Sequence, residues 1–532
     1  MSSQSGERIT QVVCDVGDLK DGEMRDVEVG EGKALLVRSG GQYYAVSAKC
    51  THYGAPLSKG ALCNDRVRCP WHGACFNVKT GDIEEYPGLD SLQKFEVEVS
   101  DGKVKVTADK TSLSNHKRIK PMCRASPSDS KTVLIIGGGP ASVACAETLR
   151  QNGFKGKITL ATKEECLPYD RIKLSKAMST TADAIALRSK DFYESYDIDI
   201  QTNKEAVSVD TSGKSVKFSD GSVLPYTSLV LATGGRPRTL PVPGKDLKNV
   251  CLLRTPKDAN YIASEAAGKN VVIIGSSFIG MEVASSLASQ AASITVVDII
   301  ALPFQTVLGD KVGTALQKMH EEKGIKFHFK AGLSEIVGEN GQVKEVVLDN
   351  GTRLPADLVV LGVGVAPATE FAKDSGLNMT KQGFIQVDKK MKTNLPDVLA
   401  AGDIVEFPLF TVNDEKVNIG HWQMAHHHGR IAAYTILGKL EELHSVPYFW
   451  TVQYGKSIRY TGYGPGYDDI IIHGNPDELK FVAYYTKGEK VVAAASLNFD
   501  PIVSEVAEAL NTGREIKKEE VRNDPRGWVS KQ

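Results

Sequence analysis

Val133-Leu134-Ile135-Ile136 is a continuous apolar run that ends in Gly137-Gly138-Gly139. A helix-forming stretch, 141–150, follows, and then a second strand, Lys157-Ile158-Thr159-Leu160-Ala161. An unbroken apolar strand is what a parallel sheet covered on both faces requires. A glycine turn between strand and helix lets backbone N–H groups and the helix N-terminus meet a pyrophosphate. The pattern returns at Val271-Val272-Ile273-Ile274-Gly275, with a helix expected over 280–289 and a strand over Ser293-Ile294-Thr295-Val296-Val297. One such unit is a weak signal. Two in one chain predict two α/β Rossmann-like domains with a nucleotide cofactor each.

The two units differ in detail. In the first, Gly137 and Gly139 keep the close approach, and Ser142 stands at the third glycine position, small enough for helix and strand to stay close. Lys163 and Glu164 compete for the end of the second strand, where a carboxylate meets a ribose; Glu164 is the candidate. In the second unit Gly275 and Gly280 remain, but Ser277 replaces the middle glycine, and its Cβ crowds the pyrophosphate place. Asp298 closes the following strand, and residues 299–304 contain no arginine to pair with a 2′-phosphate. NADH is therefore expected over NADPH.

Upstream lie Cys50-Thr51-His52 and Cys69-Pro70-Trp71-His72. A Cys-x-His and a Cys-x-x-His pair form the ligand set of a Rieske 2Fe-2S centre, two thiolates on one iron and two imidazoles on the other. Zinc sites with two cysteines and two histidines space like with like. A disulfide would leave both histidines unexplained. Gly54 and Gly73 follow the ligand histidines and let backbone N–H groups turn toward the cluster sulfurs. Respiratory Rieske proteins resemble this pattern but add two cysteines whose disulfide clamps the ligand loops. Ala55 and Trp71 stand in those places here. The resemblance implies a potential toward the low end of the range of about −150 to +300 mV open to such centres.

The chain's 532 residues exceed one domain, and its 41% hydrophobic and 24% charged content is ordinary for globular proteins. A net charge of −1 gives no electrostatic case for nucleic acid or a membrane surface. Nine cysteines without a pairing pattern fit a reducing compartment. No apolar run is long enough for a transmembrane helix, and the first residues lack a signal core. A cytoplasmic setting is the default, a mitochondrial one the alternative. Short alternating strands over 8–108 predict an all-β domain. Residues 109–130 read as a polar linker whose 22 residues could span about 70 Å extended, so a swinging Rieske domain and a docked one are both open.

Leu167-Pro168-Tyr169-Asp170-Arg171-Ile172-Lys173-Leu174-Ser175-Lys176 resembles a segment of NADH-dependent ferredoxin reductases and apoptosis-inducing factors. The resemblance places Arg171 and Lys176 against FAD. Leu231-Ala232-Thr233-Gly234-Gly235 is similar to the segment packed near the FAD, which brings in Thr233 and Gly234. Ala400-Ala401-Gly402-Asp403 is similar to the segment whose aspartate meets the ribityl chain, which brings in Asp403. Glu282 matches a glutamate near the nicotinamide, and Gly362–Pro367 resembles the loop returning beside it. Around Pro447–Tyr454 the chain resembles the family's α+β C-terminal domain, in which Trp450 either screens the flavin or fills the core. The implied division is a Rieske domain (8–108), a linker (109–130), an FAD domain (131–256 and 385–445), an NAD domain (257–384) and a C-terminal reductase or dimerisation domain (446–532).

The function implied is an NAD(P)H-dependent flavin and iron–sulfur oxidoreductase. NADH electrons pass through FAD to the 2Fe-2S cluster and on to an unidentified one-electron acceptor protein. Alternatives are a redox-sensing signalling protein in apoptosis, as the family name implies, and the reductase component of an oxygenase. A homodimer is possible for this family. Cofactors supply the chemistry, so no side chain is assigned proton transfer. No cysteine pair lies near either nucleotide unit, which excludes disulfide reduction; Cys145 and Cys166 are read as structural. His426, His427 and His428 are expected at the start of a helix near the flavin, where successive residues point about 100° apart and cannot easily share one ion.

Overall fold

The computed structural model describes residues 7–529. The N-terminal part is all β. Six antiparallel strands run in the spatial order Arg8–Asp15, Lys103–Asp109, Lys94–Ser100, Gln42–Ser47, Gly32–Ser39, Met24–Val29. A second sheet of four short strands, Ala61–Cys63, Arg66–Arg68, Cys75–Asn77 and Ile83–Glu85, carries the second cysteine–histidine loop between its middle strands, and the first lies between Gln42–Ser47 and Ala61–Cys63. The strand Lys103–Asp109 buries every second residue, as a sheet with one face on the core must.

Two parallel five-stranded sheets follow. In the first, Thr132–Ile136 lies between Lys157–Ala161 and Ser228–Leu231, with Val398–Ala400 returning at the edge. In the second, Asn270–Ile274 lies between Ser293–Asp298 and Leu358–Leu361. The central strands are buried from their second residue on, which explains their unbroken apolar sequence. The glycine-loop helices are Pro140–Gln151 and Phe278–Leu287. The C-terminal part is a five-stranded antiparallel sheet, with Tyr448–Gln453 at one edge and helix Ile502–Asn511 packed against it. Among the described residues no helix is long and apolar enough to cross a membrane.

Residues 109–130 are docked, not free. Arg118 donates to the carbonyls of Leu92 and Thr80 and pairs with Asp82. Further on, Arg124 pairs with Asp197, and the N–H groups of Cys123 and Ser126 donate to the Arg150 and Lys155 carbonyls. Each end of the segment is thus bonded to the domain beside it, and the extended reach open to a free 22-residue chain is not used.

Two buried ion networks join the β domain to the rest. Arg68, fully buried, bonds Glu508 at 2.6 Å and Glu85 at 2.8 Å. Arg188 bonds Asp90 at 2.8 Å and Glu147 at 2.8 Å. Such networks are weak evidence for stability. Separating the partners, however, leaves uncompensated buried charge at about 3–5 kcal/mol, which specifies one docked arrangement.

The triple histidine belongs to this interface. The helix starts at Trp422, one turn before the histidines, so they lie in its interior and not at its start. His426 stacks on Tyr86 (centroids 4.7 Å apart), His427 accepts from the Tyr86 N–H, and His428 accepts from the Gly402 N–H. The three rings point in different directions, and two of them hold the β domain. Burial pushes His426 and His428 down to about 3. An unfolded histidine titrates near 6.5, so the unfolded chain takes up more protons as pH falls below that value. The stability contributed by the neutral rings is present above pH 6.5 and is lost toward 3, at about 1.4 kcal/mol per pH unit for each ring. His426→Phe keeps the stacked ring and removes one titration. Its melting temperature should fall less than the parent's between pH 7.5 and 5; equal falls would contradict this origin.

Candidate functional site

The two cluster loops have the same internal bonding. Cys50 N–H donates to Ala55 O at 2.8 Å and Gly54 N–H to Cys50 O at 3.0 Å; Cys69 N–H donates to Ala74 O at 2.8 Å and Gly73 N–H to Cys69 O at 3.3 Å. Gly54 and Gly73 have φ of +78° and +77°, which glycine adopts without strain. Cys50 and Cys69 are buried, each 1% exposed. The Cys50 thiol is raised by its bond to Cys69 and by burial. Burial raises Cys69 too, but the bond from Cys50 and the N–H groups of His72 and Trp71 hold it low. His52 Nδ1 and His72 Nδ1 lie 3.2 Å apart, and His52 Nε2 is buried without a partner. Among the described residues no three histidine, cysteine or carboxylate side chains form a single-ion site. The four donors divide into a thiol pair and an imidazole pair, the division a 2Fe-2S centre takes.

The histidine side of this site faces the reductase domains. Trp450 packs on His72 with centroids 4.3 Å apart and on His52 edge-on at 5.7 Å. Tyr53 stacks on His52 at 3.8 Å, and its hydroxyl donates to Asp170. Asp170 immediately precedes Arg171 in the segment assigned to FAD.

At the first nucleotide unit Gly137 has φ +125°, and a Cβ there would lie 2.1 Å from Ala232 O. A Cβ on Gly139 would meet nothing within 4 Å. Gly139 caps the helix Pro140–Gln151 with no side-chain bond, so that open space lies before uncapped N–H groups, as an anion site requires. Ser142 is fully buried with an unpaired hydroxyl. Glu164 pairs with Arg171 at 2.7 Å, and Arg171 also donates to Tyr169 and to Arg254 O. Lys176 bonds Glu282 at 2.8 Å; Glu282 accepts as well from Ser175 and from Thr451 at 2.7 Å. Thr233 donates to Ala368 O at 2.6 Å. Burial raises the Asp403 carboxyl against the pull of Arg254 and Arg171.

Arg254 is the residue the sequence did not mark. Its Nη2 would lie 2.9 Å from a Cβ on Gly234, and among the described residues its side chain makes no hydrogen bond. Burial and Arg171 lower it to about 10. A half-buried guanidinium with no hydrogen-bond partner among the described residues, facing Gly234, suits an anionic ligand, and the residues present fit FAD.

At the second unit Gly275 has φ +106°, and a Cβ would lie 2.4 Å from Gly362 O; one on Gly280 would lie 2.0 Å from Gly275 O. Ser277 is exposed and makes no cap bond. Asp298 Oδ2 accepts from Ser276 N–H at 2.6 Å and from its hydroxyl at 2.8 Å. Part of that carboxylate is thus used on the turn itself. Ile279, Ile299 and Val365 are 48%, 74% and 49% exposed. They follow the carboxyl ends of three adjacent strands, where open α/β sheets bind ligands.

None of the nine cysteines is in a disulfide. Burial raises Cys145 to about 12, and Cys166 lies partly exposed with its thiol raised mainly by burial.

Comparison with known proteins agrees with this geometry. Residues 131–429 match the model for "Pyridine nucleotide-disulphide oxidoreductase", 9–96 the Rieske [2Fe-2S] domain and 448–526 the reductase C-terminal domain. Apoptosis-inducing factor 3 of Homo sapiens is 51% identical over 96% of this chain and 86% of its own length. Putidaredoxin reductase CamA of Pseudomonas putida is 32% identical over 69% of this chain and 88% of its own length. A crystal structure of the covalent putidaredoxin reductase–putidaredoxin complex covers 76% of this chain and 99% of that chain, at 29% identity and a TM-score of 0.72. The chain, an NAD(P)H-dependent flavin oxidoreductase with a 2Fe-2S domain, belongs to the pyridine nucleotide-disulphide oxidoreductase family.

Proposed function

We propose that the chain passes electrons from NADH through its own flavin to its own cluster, and from there to a one-electron acceptor protein. One observation carries this reading. Trp450 and Thr451 are consecutive on the strand Tyr448–Gln453, and successive strand residues point to opposite faces. Trp450 lies on His72, whereas Thr451 bonds Glu282, the partner of Lys176. One strand therefore spans from a cluster ligand to the residues assigned to the flavin. Tyr53 and Asp170 make a second bridge between the same two regions.

These contacts support the following roles. Gly137, Gly139 and Ser142 leave room for the FAD pyrophosphate, and Arg171, Arg254 and Asp403 line its path. Thr233 and Gly234 shape the wall that Arg254 faces. Glu282 orients Lys176. Gly275, Gly280 and Asp298 receive the nicotinamide dinucleotide, and a carboxylate at Asp298 disfavours a 2′-phosphate. When bound, FAD would accept a hydride from a nicotinamide and give up its electrons one at a time, which suits a 2Fe-2S centre. Tyr53, 40% exposed and stacked on His52, offers the acceptor an edge of the cluster region. Nine cysteines without a disulfide suit a reducing compartment such as the cytosol.

Anaerobic titration with NADH tests the proposal. The flavin bands should bleach and the cluster bands should then reduce. Full bleaching of the flavin with a cluster that never reduces would end it. A death-promoting role, which the name of the 51%-identical relative suggests, is a separate proposal. The cluster-free variant described below separates the two.

A further inference from the structure

The second cluster loop lacks the disulfide that holds its counterpart in respiratory Rieske proteins, since Ala55 and Trp71 occupy those positions and none of the nine cysteines is disulfide-bonded. We propose that the C-terminal reductase domain is the clamp for this loop, with Arg459 and Ser504 as positioning residues for the cluster. This holds whichever way electrons flow.

The loop Cys69–Gly73 has two backbone bonds of its own, Cys69 N–H to Ala74 O and Gly73 N–H to Cys69 O, and the N–H groups of Trp71 and His72 turn to the Cys69 sulfur. Its outward carbonyls are taken from elsewhere. Ser504 Oγ donates to Cys69 O at 3.0 Å, Arg459 Nε to Trp71 O at 3.2 Å, and Arg68 Nη1 to Gly73 O at 2.8 Å. Ser504 and Arg459 lie 435 and 388 residues away in the chain. Arg68 is itself held by Glu508 at 2.6 Å. Ser504 and Glu508 are four residues apart on the helix Ile502–Asn511 and so share a face. The Tyr448 ring closes the remaining side: a Cβ on Gly73 would lie 2.7 Å from it.

Arg459 is itself fixed. It is 7% exposed, pairs with Asp500 at 3.0 Å, and stands opposite Trp450 across the strand pair. Trp450 in turn packs on His72. Every group on this side of the loop therefore belongs to the reductase part or is anchored by it. The first loop is different. Thr51 donates to Asp90 O at 2.7 Å within the β domain, and the loop meets the reductase part through side chains, Tyr53 on Asp170 and the edge of His52 on Trp450. The second loop is the one whose backbone carbonyls are bonded by the reductase part.

Two effects follow. Hydrogen bonds to the loop carbonyls fix the ring of His72 and the sulfur of Cys69, the kind of outer support that tunes a metal centre. A buried guanidinium beside the cluster also favours the reduced form, which carries one more negative charge.

The test uses the full-length holoprotein and reads the cluster's reduction potential and electron paramagnetic resonance line shape, with the flavin potential as internal reference. Arg459→Met should shift the cluster's reduction equilibrium about tenfold toward the oxidised form, ~59 mV lower for one electron. Arg459→Lys should recover most of that shift while broadening the lines. Ser504→Ala, which removes one oxygen atom, should broaden the lines and speed cluster loss with the flavin potential unchanged. Parent line shape and parent cluster potential in folded Arg459→Met and Ser504→Ala would overturn the proposal. If Arg459→Met fails to fold, the line shape of Ser504→Ala decides alone.

Discussion

Cys69→Ala should give a chain that keeps its flavin colour, loses its cluster bands, and still bleaches on NADH at the parent rate. Its turnover with a protein acceptor that takes single electrons should fall by about 100-fold or more, since even outer-shell changes at metal centres cost 10–100-fold. The substitution removes a thiolate that is 1% exposed and leaves the Cys69 carbonyl free to keep its bond from Ser504. The FAD side is untouched, because Arg171, Lys176 and Glu282 do not contact the sulfur. Steady-state reduction assays beside visible spectra measure all three quantities. Unchanged acceptor turnover in a cluster-free chain would show that electrons leave from the flavin directly. If the chain also promotes cell death, a Cys69→Ala form that still does so separates that role from electron transfer.

Two glycines two residues apart should fail in opposite ways. Gly139→Val should fold with near-parent stability and bind no FAD, because a Cβ there meets only open space in the chain and would stand where a pyrophosphate approaches. Gly137→Ala should lower the stability of the apoprotein itself. Its φ of +125° lies where side chains are strained, and the new Cβ would sit 2.1 Å from the Ala232 carbonyl. Strain of that kind costs on the order of 1–3 kcal/mol before the clash is counted. Denaturant melts of both apoproteins, with flavin content measured on the purified chains, separate the two cases. Retained FAD in Gly139→Val would remove the first unit as the FAD site.

The contrast marks how much the sequence could say. Local patterns were legible because local physics writes them. The apolar runs at Val133–Ile136 and Val271–Ile274 became central parallel strands, and the cysteine–histidine spacing became two matched turns. What the sequence hid was long-range. Arg68 and Glu508 are 440 residues apart, and neither a lone arginine nor a lone glutamate in a helix announces a buried pair. Arg254 carries no motif; only a glycine across the cleft and a missing partner give it away. The triple histidine reads like a ligand cluster, but two of its rings serve a domain interface and the third bonds Gly402. The 109–130 segment has the composition of a tether, yet pairs of single bonds at its arginines and backbone hold it down. Composition reports what a segment can do alone and not what surface lies beside it.

A docked β domain with its histidine side against the flavin region makes one kinetic demand. Electron passage from flavin to cluster should occur within each chain. Anaerobic rapid mixing of the holoprotein with excess NADH, followed at flavin and cluster wavelengths over a tenfold range of protein concentration, tests this most directly. The account predicts that the cluster reduces after the flavin with a first-order rate independent of protein concentration. A cluster rate that rises in proportion to protein concentration would mean that electrons cross between molecules, and would contradict it.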